Sequence, residues 1–210
     1  MQDRGTMESQ NTAKPVHSAH DQSTPIQHQS PAAILQENPH LTSIAVGAFI
    51  FRPAPAPPSS AGTPEEAAPV AAAQILLIRR AATEPAFPGC WEVPGGGCEL
   101  GADGDSTLAA AVTREVREET GLAVTRVGDL VNYVEFSGRE GRRWRKYSFL
   151  CHVPETEGGD GGRVVLDPVE HDDYRWCTHE EVLLGKGAGG LAMSSDEVRT
   201  AIARAFCGRV

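Results

Sequence analysis

The sequence is poor in clustered positive charge and has no long apolar run, and these two deficits exclude several classes of protein. Its 210 residues carry 19 Lys and Arg against 28 Asp and Glu, a formal net charge of −9. Because a phosphate backbone is bound by clustered basic residues, we expect no stable nucleic-acid binding. The chain lacks a run of about 18 apolar residues and a signal-peptide core, so we expect neither a membrane span nor a leader.

Cysteine is also sparse and carries no pairing signal. There are five cysteines, an odd number, and no two of them have the C-x-x-C spacing. This pattern argues against a disulfide framework or a zinc site, and it predicts reduced thiols in a cytoplasmic protein. The length suffices for one domain with a full core.

Two segments are too polar or too rich in proline to belong to that core. Residues 1–38 have few large apolar side chains, so they are predicted to form a disordered tail, although residues 32–36 could form a helical turn that docks on the domain. The domain is assigned to residues 39–209. Within it, the Pro/Ala-rich stretch 53–73 predicts a long hairpin insertion between two strands, because it cannot continue a sheet.

The remaining periodicities predict strands on both sides of a central helix. That order is typical of a mixed sheet with helices on both faces, an α/β fold. The predicted strands cover residues 43–50, 75–78, 122–127, 130–136, 144–153, 164–166 and 174–177. The predicted helices are residues 107–120, a segment that begins near Thr178, and a segment with the capping-box pattern Ser194-x-x-Glu197 that ends near Phe206.

The central helix breaks its own amphipathic pattern. The inward positions that follow Leu108 at helical spacing are 115 and 119, and both are glutamate, with Glu118 beside Glu115. Like charges at this spacing repel one another, and glutamates near a helix C-terminus oppose the helix dipole. Carboxylates at i, i+3 and i+4 can instead converge on a hard cation such as Mg²⁺, so the pattern favours a metal site.

The ends of this helix and the loop before it support the same interpretation. Ser106 or Asp105 can cap its N-terminus, and Gly121 lies where a C-terminal cap belongs. The loop Pro94-Gly95-Gly96-Gly97 allows a ligand to approach the backbone closely.

The segment Gly96 to Leu122 resembles the Nudix box, G-x5-E-x7-R-E-U-x-E-E-x-G-U, in which U is a bulky apolar residue. The resemblance extends to the strand hairpin, to the Trp-Glu-Val-Pro-Gly-Gly stretch and to the Tyr-Arg-Trp stretch that precedes a short helix. It implies a Nudix-type α/β/α sandwich with a mixed β-sheet between helices. The matching residues of the second half of the box are Arg114, Glu115, Val116, Glu118, Glu119, Gly121 and Leu122.

The first half of the box departs from this pattern. Counted forward from Gly96 the box glutamate falls on Ala102, and counted back from Arg114 it falls on Ser106. The interval is four residues too long, and the insertion is placed at residues 102–105. Asp105 or Glu99 could replace the missing carboxylate.

The resemblance implies a pyrophosphohydrolase that acts on a nucleoside diphosphate linked to a moiety X and depends on Mg²⁺ or Mn²⁺. Glu115, Glu118, Glu119 and the Gly95 carbonyl would hold the metal, with Glu118 also counted among the catalytic residues. Arg114 would pair with a glutamate and fix its rotamer. The altered first half of the box leaves an alternative, a catalytically weak module of the same fold that binds a nucleotide or a protein.

A general base is still required, and the acidic segment before the Tyr174 strand offers Glu170 first and His171 second. The basic run 139–146 could contact phosphates or form a charged hairpin tip. Trp91 or Trp144 could stack on a base or anchor the core.

Overall fold

A computed structural model describes residues 24–54, 73–138, 141–154, 162–184 and 190–207. After a single 3-10 turn at Ile26–His28, these residues form four helices and six strands. The helices are α1 (Pro31–Glu37), α2 (Leu108–Thr120), α3 (His179–Leu183) and α4 (Asp196–Cys207). The strands are β1 (Ser43–Pro53), β2 (Ala73–Arg80), β3 (Trp91–Glu92), β4 (Arg126–Ser137), β5 (Arg143–His152) and β6 (His171–Thr178).

The sheet consists of two halves that meet at one short antiparallel contact. In the first half, β1 pairs in parallel with β5, and β5 pairs antiparallel with β4. In the second half, β2 lies antiparallel to both β3 and β6. The halves join where Phe51 lies opposite Ile75, at the C-terminal end of β1 and the N-terminal end of β2. This is the mixed sheet that the sequence predicts.

Side-chain alternation along β1 divides the interior into two cores. Ile44, Val46 and Ala48 pack with the apolar face of α2, whereas Phe49 packs with residues of α4. Since successive side chains of a strand point to opposite faces, this division places helices on both sides of the sheet. The α/β/α sandwich is confirmed.

Helix α1 lies within the segment whose composition predicts a disordered tail. Ser30 caps it by accepting a hydrogen bond from the Ala33 amide, and Ile34 is 1% exposed in the core beside α2. For residues 24–38 the predicted tail is therefore corrected, because Ile34, together with Ile26 and Leu35, packs into the core and anchors a segment of low average hydrophobicity. The suggested docked turn at residues 32–36 is part of this helix, and residues 1–23 lie outside the described part.

Three other predicted elements differ from the structure. Residues 122–125 form no strand, whereas residues 126–127 and the predicted strand 130–136 belong to one strand, β4, whose pairing with β5 is irregular between Val127 and Asn132. Residues 164–166 form no strand, although Val164 is buried. Most of the Pro/Ala-rich insertion, residues 55–72, lies outside the described residues. In the described residues, none of the helices has the length and apolarity needed to cross a membrane.

Candidate functional site

The central helix α2 is fixed at both ends by local hydrogen bonds. The hydroxyl of Thr107 accepts from the Ala110 amide, so the N-terminal cap is Thr107 and not Ser106 or Asp105. Gly121 adopts a left-handed φ of 69° and donates its amide to the Arg117 carbonyl, as predicted for the C-terminal cap.

The three glutamates of α2 occupy the positions that the helical projection predicts. Glu115 is 9% exposed and Glu119 is 5% exposed, so both take positions that an amphipathic helix normally gives to apolar groups. Glu118 flanks them with 58% of its side chain exposed. The face therefore runs from the buried interior to solvent, where a metal ion or phosphate can enter.

The glycine loop lies alongside β1, to which it is joined by backbone hydrogen bonds, and faces these glutamates. The amides of Val46 and Ala48 donate to the carbonyls of Gly96 and Pro94 at 2.9 and 2.8 Å. Gly95 has a φ of 141°, and a Cβ there would lie 2.2 Å from the Val46 carbonyl oxygen. Only glycine fits this position, and its amide donates to Glu119 Oε2 at 2.6 Å.

Gly96 brings the same loop against the second buried glutamate. A Cβ on Gly96 would lie 2.6 Å from Glu115 Oε2, whereas a Cβ on Gly97 would make only ordinary contact with the Trp144 ring at 3.6 Å. The loop and the helix therefore fit together at the carboxylate of Glu115, where a larger residue would displace it.

Arg114 connects the helix to the Gly97 end of the glycine loop. Its Nη1 donates to Glu115 Oε1 and Glu118 Oε2, each at 2.9 Å. Its Nη2 donates to the Gly97 carbonyl at 3.1 Å. The pairing with neighbouring glutamates implied by the family resemblance is present, and it sets the rotamers of two of the three carboxylates.

The other side of the Arg114 guanidinium is occupied by Asp105. The Nε and Nη2 atoms donate to the two Asp105 oxygens at 3.1 and 2.9 Å, and the Glu99 amide donates to Asp105 Oδ2 at 2.7 Å. Of the two candidates for the missing box carboxylate, Asp105 makes this ion pair, and Glu99 contributes its backbone. The longer loop thus returns a carboxylate to the helix.

Burial determines the electrostatics of the two inward glutamates. Burial raises the pKa of Glu119 to about 9, against the opposing hydrogen bond from the Gly95 amide. Burial also raises the pKa of Glu115, although Arg114 acts against it. Placing several carboxylates together in this environment is unfavourable without added positive charge, which a divalent cation would supply.

The loop before β6 brings the two candidate general bases to the same place. One ligand atom from each of Glu119, Glu170 and His171 lies within 4.8 Å of the others. Glu170 is exposed, and its charge contributes to the raised pKa of Glu115. The oxygen-rich donor set of α2 and Glu170 suits hard cations such as Mg²⁺ or Mn²⁺.

His171 is completely buried, and it contacts a glutamate that the sequence analysis did not single out. Its Nε2 lies 3.4 Å from Glu92 Oε1 and 3.9 Å from Glu119 Oε1, and its Nδ1 is buried with no hydrogen-bond partner in the described residues. Arg80 donates to Glu92 at 2.8 Å. The pKa of Glu92 is lowered overall: burial raises it, but His171, Lys146 and Arg80 outweigh burial. In the sequence, the signal that could have identified Glu92 as a site residue is its position directly before Val-Pro-Gly.

The residues of the basic run and the two tryptophans have different surroundings. Arg145 pairs with Glu135 at 2.6 Å, away from the site, whereas the charge of Lys146 acts on Glu92 and Glu119. Trp91 is 9% exposed and belongs to the α4-side core. Trp144 is half-buried beside Gly97. Residue 139, the start of the run, lies outside the described part.

Comparison with known proteins is consistent with this geometry. The family model described as the NUDIX domain matches residues 66–196. A curated relative, "Putative nudix hydrolase 1" from Caenorhabditis elegans, is 37% identical over 87 residues, which is 41% of this chain and 20% of that protein. The match thus spans one fifth of the relative's length.

Two solved structures show the same fold. The MutT protein from Methanosarcina mazei Go1 is 26% identical with a TM-score of 0.51, over 79% of this chain and 93% of that chain. A C. elegans Ap4A hydrolase in a binary complex is 17% identical with a TM-score of 0.54, over 80% of this chain and all of that chain. Because the matched domain covers more than half of the sequence, this chain belongs to the NUDIX family.

Proposed function

We propose that this protein hydrolyses a phosphoanhydride bond in a nucleoside diphosphate linked to a further moiety, in a reaction that requires Mg²⁺ or Mn²⁺. The observation that carries the proposal is the convergence of Glu115, Glu118 and Glu119 beside the Gly95–Gly97 loop. The relative that bears the name of a nudix hydrolase and the resemblance to a MutT protein support the same reaction class.

The metal site of this proposal consists of the three α2 glutamates and the Gly95 carbonyl. When bound, the cation would neutralise the charge that builds on the phosphate oxygens during cleavage. Arg114 holds two of the carboxylates in place, and the Gly95 amide holds the third. The protein thereby orients its acidic groups before the substrate arrives.

Glu170 is the proposed general base, and His171 is assigned a positioning role. Glu170 is exposed to solvent and close to Glu119, so it can accept a proton from an attacking water molecule. His171 is buried against Glu92 and Glu119, where it can orient these carboxylates but does not reach solvent.

The alternative of a catalytically weak binding module was motivated by the altered first half of the box. The ion pair between Asp105 and Arg114 weakens this argument, because Asp105 supplies Arg114 with the carboxylate that the altered box lacks. We therefore retain the hydrolase as the proposed function.

The test is a hydrolysis screen of the full chain with ADP-ribose, dinucleoside polyphosphates and nucleotide sugars, in Mg²⁺, Mn²⁺ or EDTA. We expect metal-dependent release of phosphate-containing products and loss of most of that rate in Glu119→Gln. The matched control is Glu180→Gln, which removes the same charge from an exposed position on α3 and should behave as wild type. A wild-type rate in Glu119→Gln, or ligand binding without turnover at saturating metal, would contradict the proposal.

A further inference from the structure

The proposed general base, Glu170, lies on a turn that the packing of side chains does not hold in place. We call this turn, residues 167–171, the base turn; it leads into β6. Val169 is 71% exposed, and Pro168 and Glu170 are exposed as well. Because none of these three side chains is buried, the position of the Glu170 carboxylate depends on the hydrogen bonds of the turn.

Asp167 accepts two hydrogen bonds that close the base turn. Its Oδ1 accepts from the Val169 amide at 2.9 Å, two residues further on, as an aspartate at the start of a turn commonly does. Its backbone carbonyl accepts from the His171 amide, also at 2.9 Å. The two donors lie on either side of Glu170 in the sequence, so these bonds fix the backbone from which the Glu170 side chain projects.

The start of the base turn is joined to helix α2. The Asp167 amide donates to the Glu119 carbonyl at 3.4 Å, and the Val165 amide donates to the Thr120 carbonyl at 2.9 Å. These carbonyls belong to the last turn of α2, where a helix provides no internal partner for them. Glu119 therefore contacts the base turn through its backbone and contributes to the proposed metal site through its side chain.

The end of the base turn is joined to the residue that follows β2. The Ala81 amide donates to the Glu170 carbonyl at 2.8 Å. Between the attachments to α2 and to Ala81, the shape of the turn depends on the bonds that Asp167 accepts. In this arrangement a carboxylate oxygen of Glu170 lies within 4.8 Å of one from Glu119.

We propose that Asp167 is a positioning residue that acts through Glu170, because it closes the base turn so that the Glu170 carboxylate lies beside Glu119. This inference rests on the proposed function, in which Glu170 accepts a proton from the attacking water. A general base acts only within hydrogen-bonding reach of that proton, and a displacement of about 1 Å can lower a rate about a hundredfold. Loss of the Asp167 carboxylate should therefore slow the chemical step without weakening the metal site.

The test is a double-mutant cycle of Asp167→Ala and Glu170→Gln in the full chain at saturating Mn²⁺. The probes are ADP-ribose, diadenosine tetraphosphate and UDP-glucose, and the one that wild type hydrolyses fastest is used for every variant. We expect Glu170→Gln to lower kcat about a hundredfold or more, and Asp167→Ala to lower kcat about tenfold with KM close to wild type. In the Glu170→Gln background, Asp167→Ala should change kcat less than about twofold, because a positioning residue has no further effect once its target has lost the base.

Two further variants separate the hydrogen bond from the loss of a charge. Asparagine keeps an oxygen that can accept from the Val169 amide, so Asp167→Asn should recover most of kcat. Asp129→Ala, which makes the same change as Asp167→Ala at an exposed position on β4, is the matched control and should behave as wild type.

Two readouts do not depend on turnover. Calorimetric titration should give the same Mn²⁺ affinity for Asp167→Ala and wild type, because the α2 glutamates are unchanged. Without metal, the His171 amide should exchange its hydrogen faster in Asp167→Ala than in wild type or Asp167→Asn, because the turn that protects it opens more often.

The outcomes separate the role of Asp167 from the proposed function. A wild-type kcat in Asp167→Ala, the same fold loss with and without Glu170→Gln, or an equal loss in Asp167→Asn overturns the positioning role while metal-dependent hydrolysis stands. A wild-type kcat in Glu170→Gln removes Glu170 as the base and this inference with it. If wild type hydrolyses none of the three probes in Mn²⁺, the proposed function and the inference both fail.

Discussion

Asp105 and Arg114 form a two-pronged ion pair, with Asp105 oxygens 3.1 and 2.9 Å from the Nε and Nη2 atoms of the guanidinium. The same arginine also holds Glu115 and Glu118. The Asp105 side chain is 5% exposed and that of Arg114 is 23% exposed, so the loss of Asp105 would leave a largely buried guanidinium partly unpaired. The box glutamate is missing at its usual position in the sequence, but the folded loop places the Asp105 carboxylate against Arg114 in its stead.

Substitution of Asp105 by alanine should lower both stability and activity. We expect a loss of about 1–3 kcal/mol in the free energy of unfolding, because a charged hydrogen-bond partner is removed from a largely buried guanidinium. The rate of any metal-dependent hydrolysis should fall as well, since Arg114 would no longer be held in place. Urea unfolding and steady-state kinetics measure the two effects.

Glu99→Ala is the matched control for that substitution, because Glu99 contributes only its backbone amide to the ion pair. It should be close to wild type in both assays. An equal loss in Glu99→Ala and Asp105→Ala would contradict the assignment of Asp105 as the replacement carboxylate.

The ion pair also predicts a pH dependence of stability. Burial raises the pKa of Asp105, but the Arg114 hydrogen bond, the Glu99 amide and the Arg114 charge together lower it below the ordinary 3.8. A carboxyl whose folded-state pKa is lowered stabilises the fold above its unfolded pKa and loses that contribution as the pH falls through the folded value. The stability gap between wild type and Asp105→Asn should thus be constant above pH 5 and shrink below about pH 4. A gap that grows on acidification, measured by urea titration, would be the opposite result.

Gly96 and Gly97 offer a matched pair of substitutions in the glycine loop. Gly96→Ala would place a Cβ 2.6 Å from Glu115 Oε2, whereas Gly97→Ala meets only the Trp144 ring at 3.6 Å. The displaced atom is the Glu115 carboxylate oxygen at the end of a flexible side chain. Gly96→Ala should therefore weaken Mn²⁺ binding and lower the melting temperature only slightly. Gly97→Ala should change neither. Calorimetric titration with Mn²⁺ distinguishes the two variants, and equal affinities would argue against Glu115 as a ligand.

Helix α1 should contribute to the stability of the domain despite its polar surroundings. Ile34 is 1% exposed in the core, so Ile34→Ala should cost about 2–5 kcal/mol in the free energy of unfolding. Gln36→Ala, on the exposed side of the same helix, should have little effect. Chemical denaturation measures both, and an Ile34→Ala variant as stable as wild type would show that α1 does not depend on this contact.

Much of the fold could be predicted because its signals are local. The period of the apolar residues gave α2, and the placement of Gly121 gave its end. The same projection placed Glu115 and Glu119 on the buried face, and the structure confirms it. Local composition was less reliable for residues 24–38, where Pro31 and Ile34 are buried and Ile26 and Leu35 pack against the core despite a polar average.

Residue order thus determined α2, its inward glutamates and the need for glycine beside them, since these depend on spacing and on backbone sterics. Tertiary structure decided which carboxylate replaced the lost one, because a loop of altered length can return either Asp105 or Glu99 to Arg114. The tertiary structure also brings Glu92 and His171 together. These residues lie 79 positions apart in the sequence and meet because β3 and β6 both pair with β2. Contacts between distant strands have no sequence period, so only the packed sheet reveals them.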